Sequence, residues 1–123
     1  MKKIETLNAP SAIGPYSQAI DTGEFIFTSG QIPLSKDTGT IVGDNISDQT
    51  KQVCENLKAV VEAAGTTLDN TVKTTCFLQD IADFAEFNKI YSEYFTNKPS
   101  RSCVAVKDLP KGALVEIEAI VKK

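Results

Sequence analysis

Two stretches of helical periodicity with a strand-like run between them constrain the fold of this chain more than any other feature. From Asn45 to Gly65 apolar residues recur on one helical face, with Asn45 placed to cap the N-terminus and Gly65 to follow the C-terminus. Asp80 is placed to cap a second helix, whose end Pro99 marks. The run Thr71–Leu78 between the helices is β-branched and aromatic and predicts a strand. The predicted apolar stripes are Ile46, Val53, Leu57, Val60, Val61 and Ala64 in the first helix, and Ile81, Phe84, Phe87, Tyr91 and Phe95 in the second.

Further segments have the composition of strands, three before the first helix and two after the second. They give the element order β-β-β-α-β-α-β-β along one domain of residues 1–123. We expect the last two strands to pair as an antiparallel hairpin around the turn Asp108–Gly112. The pattern predicts an α+β domain with a mixed β-sheet and both helices packed on one face. The segments are Lys3–Leu7, Ser17–Ile20, Phe25–Ser29, Arg101–Val106 and Leu114–Val121.

The composition narrows the possible chemistry. The chain has no histidine, which removes Ser-His-Asp and Cys-His catalytic arrangements, histidine-bearing zinc sites and histidine as a general base. Cys54, Cys76 and Cys103 lie far apart without a Cys-x-x-Cys pair, so we expect free thiols in a reducing cytoplasm and no metal site. Any catalysis is left to carboxylates, Arg, Lys, Tyr, Cys, hydroxyls or backbone amides.

The charge and the N-terminal residues indicate which partners and which cellular compartment to expect. The net charge is −3 and the 13 basic residues are scattered, which disfavours direct binding of nucleic acid. No apolar run approaches the ~18 residues of a membrane span, and the N-terminal residues lack the apolar core of a secretory signal. We therefore expect a cytoplasmic protein without nucleic-acid or membrane partners.

Alternation along the predicted hairpin places polar side chains together. Pairing its valine-rich faces beneath the helices puts Arg101, Cys103, Glu116 and Glu118 on the opposite, uncovered face of the sheet. Cys103 would then lie near Glu116, with Arg101 one diagonal away. On geometry alone, the simpler interpretation is a cross-strand salt bridge on a solvated face. The alternative is a site in which the arginine and the carboxylate act on a ligand.

Four ordered segments favour the site over the salt bridge. They are Gly14–Ala19, Thr28–Pro33, Asn56–Gly65 and Arg101–Ala119. Together they strongly resemble the RidA family, also called YjgF, and the last of them resembles the family signature. The resemblance extends from about residue 4 to residue 121. It implies a chorismate-mutase-like α+β subunit, a homotrimer with clefts between subunits, and a deaminase that hydrolyses 2-iminobutanoate and 2-iminopropanoate to 2-keto acids and ammonia without a cofactor.

The resemblance also implies roles for individual residues. Arg101 matches the family arginine that binds the substrate carboxylate, and a guanidinium suits this planar, bidentate contact better than lysine does. Glu116 matches the acidic residue that positions or activates the attacking water, and Cys103 matches a cysteine whose backbone contacts the ligand. The residues that match the lining of the cleft are Ser29, Gly30, Tyr16 and Asn88.

Several of these positions have a simpler structural interpretation. Gly30 could end a strand, Tyr16 could be a half-buried core residue and Asn88 could lie on a helix surface. Cys103 lacks a histidine to activate it, so we expect a structural thiol rather than a nucleophile. Many family members carry a longer loop beside the cleft where this chain has only Thr96–Ser100, so the preferred substrate size stays open.

Two other functions stay open from the sequence. A trimer could bind small carboxylates through Arg101 without turning them over. It could also act on RNA, since some members of the family are labelled translation inhibitors or ribonucleases. The acidic charge and the missing histidine argue against the RNA function.

Overall fold

Six strands and two α-helices follow one another in the predicted order. The computed structural model describes all of residues 1–123, and it contains no helix that is long and apolar enough to cross a membrane. Short 3₁₀ turns precede the fourth strand, the second helix and the last strand. The α+β class expected from the sequence is confirmed. The elements are β1 (Lys2–Ile4), β2 (Ala19–Asp21), β3 (Phe25–Thr28), α1 (Ile46–Ala63), β4 (Thr71–Leu78), α2 (Phe84–Tyr94), β5 (Ser100–Ala105) and β6 (Val115–Lys122).

Helix α1 begins and ends where the sequence predicts. The Asn45 side chain accepts a hydrogen bond from the backbone N–H of Asp48 at 2.9 Å, and the Asp48 carboxylate lies near the positive end of the helix dipole. Gly65 follows the helix with a φ of +87°, a left-handed conformation that glycine adopts without steric strain. The predicted apolar stripe of α1 is buried in full and forms part of the core.

Helix α2 is shorter than predicted at both ends. Asp80 caps a single 3₁₀ turn, Ile81–Asp83, by accepting a backbone N–H bond from within it at 2.9 Å. The α-helix begins only at Phe84 and ends at Tyr94, before the proline that was expected to mark its end. Because the 3₁₀ turn winds more tightly than an α-helix, it rotates the first residues of the predicted stripe away from the core. Phe87, Tyr91 and Phe95 of that stripe are buried, whereas Ile81 and Phe84 are exposed.

The strands form one sheet in the order β1-β2-β3-β6-β4-β5. Strands β4 and β5 are parallel, and all other neighbours are antiparallel. The predicted hairpin of β5 with β6 is therefore wrong, because β4 lies between them. The cause is α2, which crosses over between β4 and β5 and so returns β5 parallel to β4, as a strand–helix–strand unit requires. The segment predicted to be a tight hairpin turn instead leads past β4 to reach β6.

The two faces of the sheet differ in what covers them. The helices cover one face, and they bury the inward-pointing residues of β6, as predicted. On the other face Ile20, Phe27 and Ile120 form an apolar row across β2, β3 and β6. Phe27 remains 44% exposed there. The buried residues of β6 are Val115, Ile117, Ala119 and Val121.

Candidate active site

Arg101 lies on the helix-covered face of the sheet, and not on the uncovered face that the sequence analysis predicted. Thr74 of β4 pairs with Arg101 on one side and with Ala119 of β6 on the other, and paired residues point the same way. Thr74 and Ala119 are both buried. By the same register Phe77 of β4 pairs with Glu116. Phe77 directly follows Cys76, so Phe77 and Glu116 point to the face opposite that of Cys76 and Thr74. Arg101 and Glu116 are thus on opposite faces, because β5 runs parallel to β4 instead of forming a hairpin with β6.

The Arg101 guanidinium packs against helix α2. Its central carbon, Cζ, lies 4.8 Å from the ring centre of Tyr91, 5.4 Å from that of Phe84 and 5.9 Å from that of Phe87. Its Nη1 donates a hydrogen bond to Oδ1 of Asn88 at 2.7 Å. Contact with an aromatic face attracts the cation without using its in-plane N–H groups, which stay available to a ligand. Asn88, which the resemblance assigned only to the lining of the cleft, therefore lies beside Arg101 in the structure.

Arg101 has no carboxylate partner within its own chain. The two ion pairs of the chain join Lys89 to Glu86 and Lys123 to Asp21. The cross-strand salt bridge that was the simpler interpretation of the sequence is therefore not formed. A guanidinium held by aromatic rings and one amide keeps its charge available for an anionic ligand.

Cys103 lies two residues beyond Arg101 on the same face of β5 and pairs with Cys76 of β4. Burial raises the pKa of both thiols, to about 12 for Cys76. The hydrogen bond of Cys76 with Thr74, and the Arg101 charge near both thiols, offset only part of the rise. Cys54 on α1 is buried, and burial raises the pKa of its thiol as well. All three cysteines are free and protonated at neutral pH. This state supports the expectation of structural thiols rather than nucleophiles.

Glu116 lies on the uncovered face, with its carboxylate over Gly30. A Cβ at Gly30 would lie 2.9 Å from Cδ of Glu116 and closer still to its Oε2, so only glycine leaves room for the carboxylate there. Burial is the larger cause of a raised pKa at Glu116, and the neighbouring charge of Glu118 adds to it. A carboxyl whose pKa lies above its usual range is better suited to exchange protons with a substrate at neutral pH.

Ser29 joins the loop before β2 to the end of β3 by two hydrogen bonds. Its hydroxyl donates to the backbone oxygen of Ser17 at 2.6 Å, and its N–H donates to that of Gln18 at 2.9 Å. These bonds place Ser17 beside the end of β3, and Tyr16 directly precedes Ser17 in the chain. Tyr16 is 54% exposed, so it is not the half-buried core residue that was its simpler interpretation.

The expected site residues thus fall into two groups on opposite faces of the sheet. The anchor group consists of Arg101, Asn88 and Cys103 under helix α2. The carboxylate group lies on the other face near the end of β3. No cluster of three or more Cys, Asp and Glu side chains is arranged to hold a metal ion. The members of the carboxylate group are Ser29, Gly30 and Glu116, and Tyr16 adjoins them in the chain through Ser17.

Three further residues of the anchor group were missed as site residues. Phe84, Phe87 and Tyr91 were assigned only to the apolar stripe of the second helix, yet all three rings lie around Arg101. The order of elements could have revealed them. A strand that follows a helix in a parallel strand–helix–strand unit lies beneath that helix, so the helix supplies the neighbours of Arg101.

These features define a class of protein, a small α+β domain whose helix-covered sheet face carries an arginine without an ionic partner. The family described as Endoribonuclease L-PSP matches residues 6–123. RutC family protein PH0854 from Pyrococcus horikoshii is 54% identical over 121 residues, which are 98% of this chain and 96% of the relative. The 2-iminobutanoate/2-iminopropanoate deaminase of Salmonella typhimurium is 50% identical over 123 residues, which are 97% of this chain and 95% of the relative. The crystal structure of Escherichia coli TdcF with bound serine is 46% identical, with a TM-score of 0.95 over 100% of this chain and 99% of that one.

The chain belongs to the RidA/YjgF family. The resemblance carried by four sequence segments is therefore confirmed, and so is the fold that it implied. The relatives themselves are named in different ways, as a family protein, a deaminase and a protein with bound serine. Family membership consequently defines the fold, while the reaction has to be argued from the site.

Proposed function

We propose that the protein hydrolyses reactive imines and enamines of 2-keto acids, with 2-iminobutanoate and 2-iminopropanoate as substrates. The observation that carries the proposal is the Arg101 guanidinium, which is held by aromatic rings and Asn88 and has no carboxylate partner in the chain. A 2-imino acid carries its carboxylate next to the reacting C=N carbon, so one bidentate arginine both binds and orients it. The similarity to a deaminase at 50% identity supports this choice of substrate.

In the proposed reaction Arg101 anchors the substrate carboxylate and draws electron density away from C2. Glu116 orients a water toward C2 and accepts a proton from it as the new C–O bond forms. The carboxyl returns this proton to nitrogen, and the hydroxyl proton follows as the C–N bond breaks, which releases ammonia and the 2-keto acid. Imines already hydrolyse unaided in water, so orientation and one proton relay supply a sufficient reduction of the barrier.

The proposal includes a cytoplasmic homotrimer with clefts between subunits. Arg101 and Glu116 lie on opposite faces of the sheet, so a cleft that contains both takes Arg101 from one subunit and Glu116 from a neighbour. The apolar row of Ile20, Phe27 and Ile120 on the uncovered face supports such an assembly, since association would bury it. The three free thiols are in keeping with the cytoplasm.

The test is deamination of 2-iminobutanoate that an amino-acid oxidase generates in situ. The wild-type protein should accelerate release of 2-oxobutanoate, and Arg101→Ala should abolish the acceleration. Arg101→Lys keeps the charge but loses the bidentate contact, so activity should fall about tenfold or more. Lys107→Ala, which removes an exposed cation from the segment after β5, is the matched control and should be fully active. An Arg101→Ala variant with wild-type activity would overturn the proposal.

One observation favours a second function. TdcF was crystallised with bound serine, a small carboxylate, and an arginine like Arg101 would equally serve a protein that binds such molecules without turnover. Calorimetry with serine and 2-oxobutanoate beside the deamination assay separates the two. Binding without acceleration for short and branched imino acids would favour the binding protein. The RNA function named in the family description is opposed by the net charge of −3 and the missing histidine, and salt-dependent binding of RNA would revive it.

A further inference from the structure

We propose that Tyr91 is a positioning residue, and that its ring, fixed by Thr74, holds the Arg101 guanidinium in the orientation that receives the substrate carboxylate. The catalytic consequence rests on the proposed function, whereas the geometry is a property of the chain itself. Neither Tyr91 nor Thr74 is among the residues that were expected to contact substrate.

The Tyr91 ring is the nearest of the rings around Arg101. Its centre lies 4.8 Å from Cζ, compared with 5.4 Å for Phe84 and 5.9 Å for Phe87. Phe84 is 37% exposed, whereas Tyr91 and Phe87 are both buried, and of these two the Tyr91 ring is the closer to the guanidinium. A ring that is closer to the cation and better shielded from water attracts it more strongly. The placement of the Tyr91 ring therefore matters most to Arg101.

A buried hydrogen bond fixes the Tyr91 ring. Its hydroxyl and Oγ1 of Thr74 share a hydrogen bond of 2.7 Å, and Thr74 is fully buried. Thr74 is also the β4 residue that pairs with Arg101, so the strand partner of the arginine anchors the ring that supports it. Phe95 stacks on Tyr91 with ring centres 4.5 Å apart. The ring is thus held at its hydroxyl end and along its side.

The Tyr91 hydroxyl remains neutral and does not compete with a substrate for Arg101. Burial is the main cause of its raised pKa of about 12, against opposing contributions from Thr74 and Arg101. Asn88 completes the arrangement by accepting a hydrogen bond from Nη1 of Arg101 at 2.7 Å. With its contact to the ring and one N–H group held, the guanidinium has little freedom left to lose when it binds a carboxylate.

The first measurement uses the fact that Arg101 is the single arginine of the chain. Its Nε–H therefore gives one identifiable signal in a ¹⁵N–¹H spectrum. In the wild type we expect this signal to be displaced by the nearby ring and to be rigid in ¹⁵N relaxation. Tyr91→Leu should move it toward the position of a free arginine and make it more mobile, although Phe84, Phe87 and Asn88 still contact the guanidinium. Tyr91→Phe and Thr74→Val keep the ring but remove the hydrogen bond, so they should increase the mobility with a smaller displacement.

The chain offers matched controls for each change. Tyr94→Phe removes a hydroxyl from the same helix, and Thr75→Val alters the neighbouring β4 residue on the opposite face. Both should leave the arginine signal unchanged. Circular dichroism and thermal unfolding identify any variant that has lost its fold. If Tyr91→Leu does not fold, Tyr91→Phe and Thr74→Val decide the question.

The second measurement is affinity for 2-oxobutanoate. Tyr91→Leu should weaken binding about tenfold and raise KM for 2-iminobutanoate more than it lowers kcat. In the double variant Tyr91→Leu with Arg101→Lys, the loss of binding free energy should be smaller than the sum of the two single losses, because both changes act through one contact. An arginine signal that stays rigid and displaced in folded Tyr91→Leu, or an unchanged affinity, would overturn the inference. A mobile arginine with weakened 2-oxobutanoate binding, in a protein that never deaminates, would instead overturn the proposed function alone.

Discussion

At the scale of single residues, Gly30 shows how the absence of a side chain can serve a site. A Cβ there would lie 2.9 Å from Cδ of Glu116, and the flexible glutamate is the partner that would yield. We expect Gly30→Ala to displace the carboxylate and to lower deaminase activity about 100-fold. The free energy of unfolding should change by about 1 kcal/mol or less, as urea denaturation would measure.

The control for this prediction is the same change in a Glu116→Gln background. In that background Gly30→Ala should lower the deaminase activity little further, because it acts by displacing the carboxylate that Glu116→Gln has already removed. If Gly30→Ala again lowered the activity about 100-fold in the Glu116→Gln background, or if the single variant were destabilised by several kcal/mol, Gly30 would act through the backbone instead.

At the scale of elements, the parts of the fold that depend on local chemistry were predictable from the sequence. Helix α1 follows its cap at Asn45 and its C′ residue Gly65, and β4 occupies the predicted Thr71–Leu78. Strand β1 was predicted as Lys3–Leu7 and is instead Lys2–Ile4, because short edge strands carry little periodicity. Local patterns therefore predicted the existence of every element but not the bounds of the short ones.

The arrangement of the site could not be predicted in the same way. Alternation along a strand shows which of its residues share a face, as with Arg101 and Cys103, but not how that face is turned relative to another strand. That orientation depends on the crossover through α2 and on the insertion of β6 beside β4, which are long-range features. The sequence supplied Arg101 and Glu116 as candidate site residues, and it did not reveal that they lie on opposite faces of the sheet.

An ion pair at the end of β6 makes the stability of the sheet depend on pH. Nζ of Lys123 lies 2.6 Å from Oδ2 of Asp21, and the Gly23 N–H donates to Oδ1 of the same carboxylate at 2.7 Å. The hydrogen bond from Lys123 is the largest cause of the lowered pKa of Asp21, and the hydrogen bond from the Gly23 N–H is the second largest. A carboxylate with a lowered pKa contributes stability above its unfolded pKa of about 4 and loses it as the pH falls through the folded value.

We therefore expect Asp21→Asn to be less stable than the wild type at neutral pH, with the difference fading below about pH 4. Urea unfolding across this range measures it, and Glu24→Gln in the adjacent turn is the matched control, with little expected effect. A difference that is the same at every pH would show that the charge of Asp21 is not its cause.

At the scale of the whole molecule, a cleft shared between subunits predicts complementation. Arg101→Ala and Glu116→Gln should each be inactive as pure proteins. When the two are unfolded together and refolded, random assortment should give about a quarter of the sites both intact groups. Activity per site should recover to that fraction, and light scattering should report three subunits per particle. No recovery in well-formed trimers would mean that each site takes both groups from one subunit.

The two groups of the site also differ in how far apart their residues lie along the chain. The anchor group and its aromatic rings lie within residues 84–103, and Thr74, which fixes the Tyr91 ring, is on the neighbouring strand β4. The carboxylate group, with the adjoining Tyr16, joins residues 16–30 to Glu116, so the two ends of the chain must meet before it exists. Closing the shorter loop is faster and less costly in entropy. The anchor group can consequently assemble early in folding from the β4–α2–β5 unit, whereas the carboxylate group arises only in the completed fold.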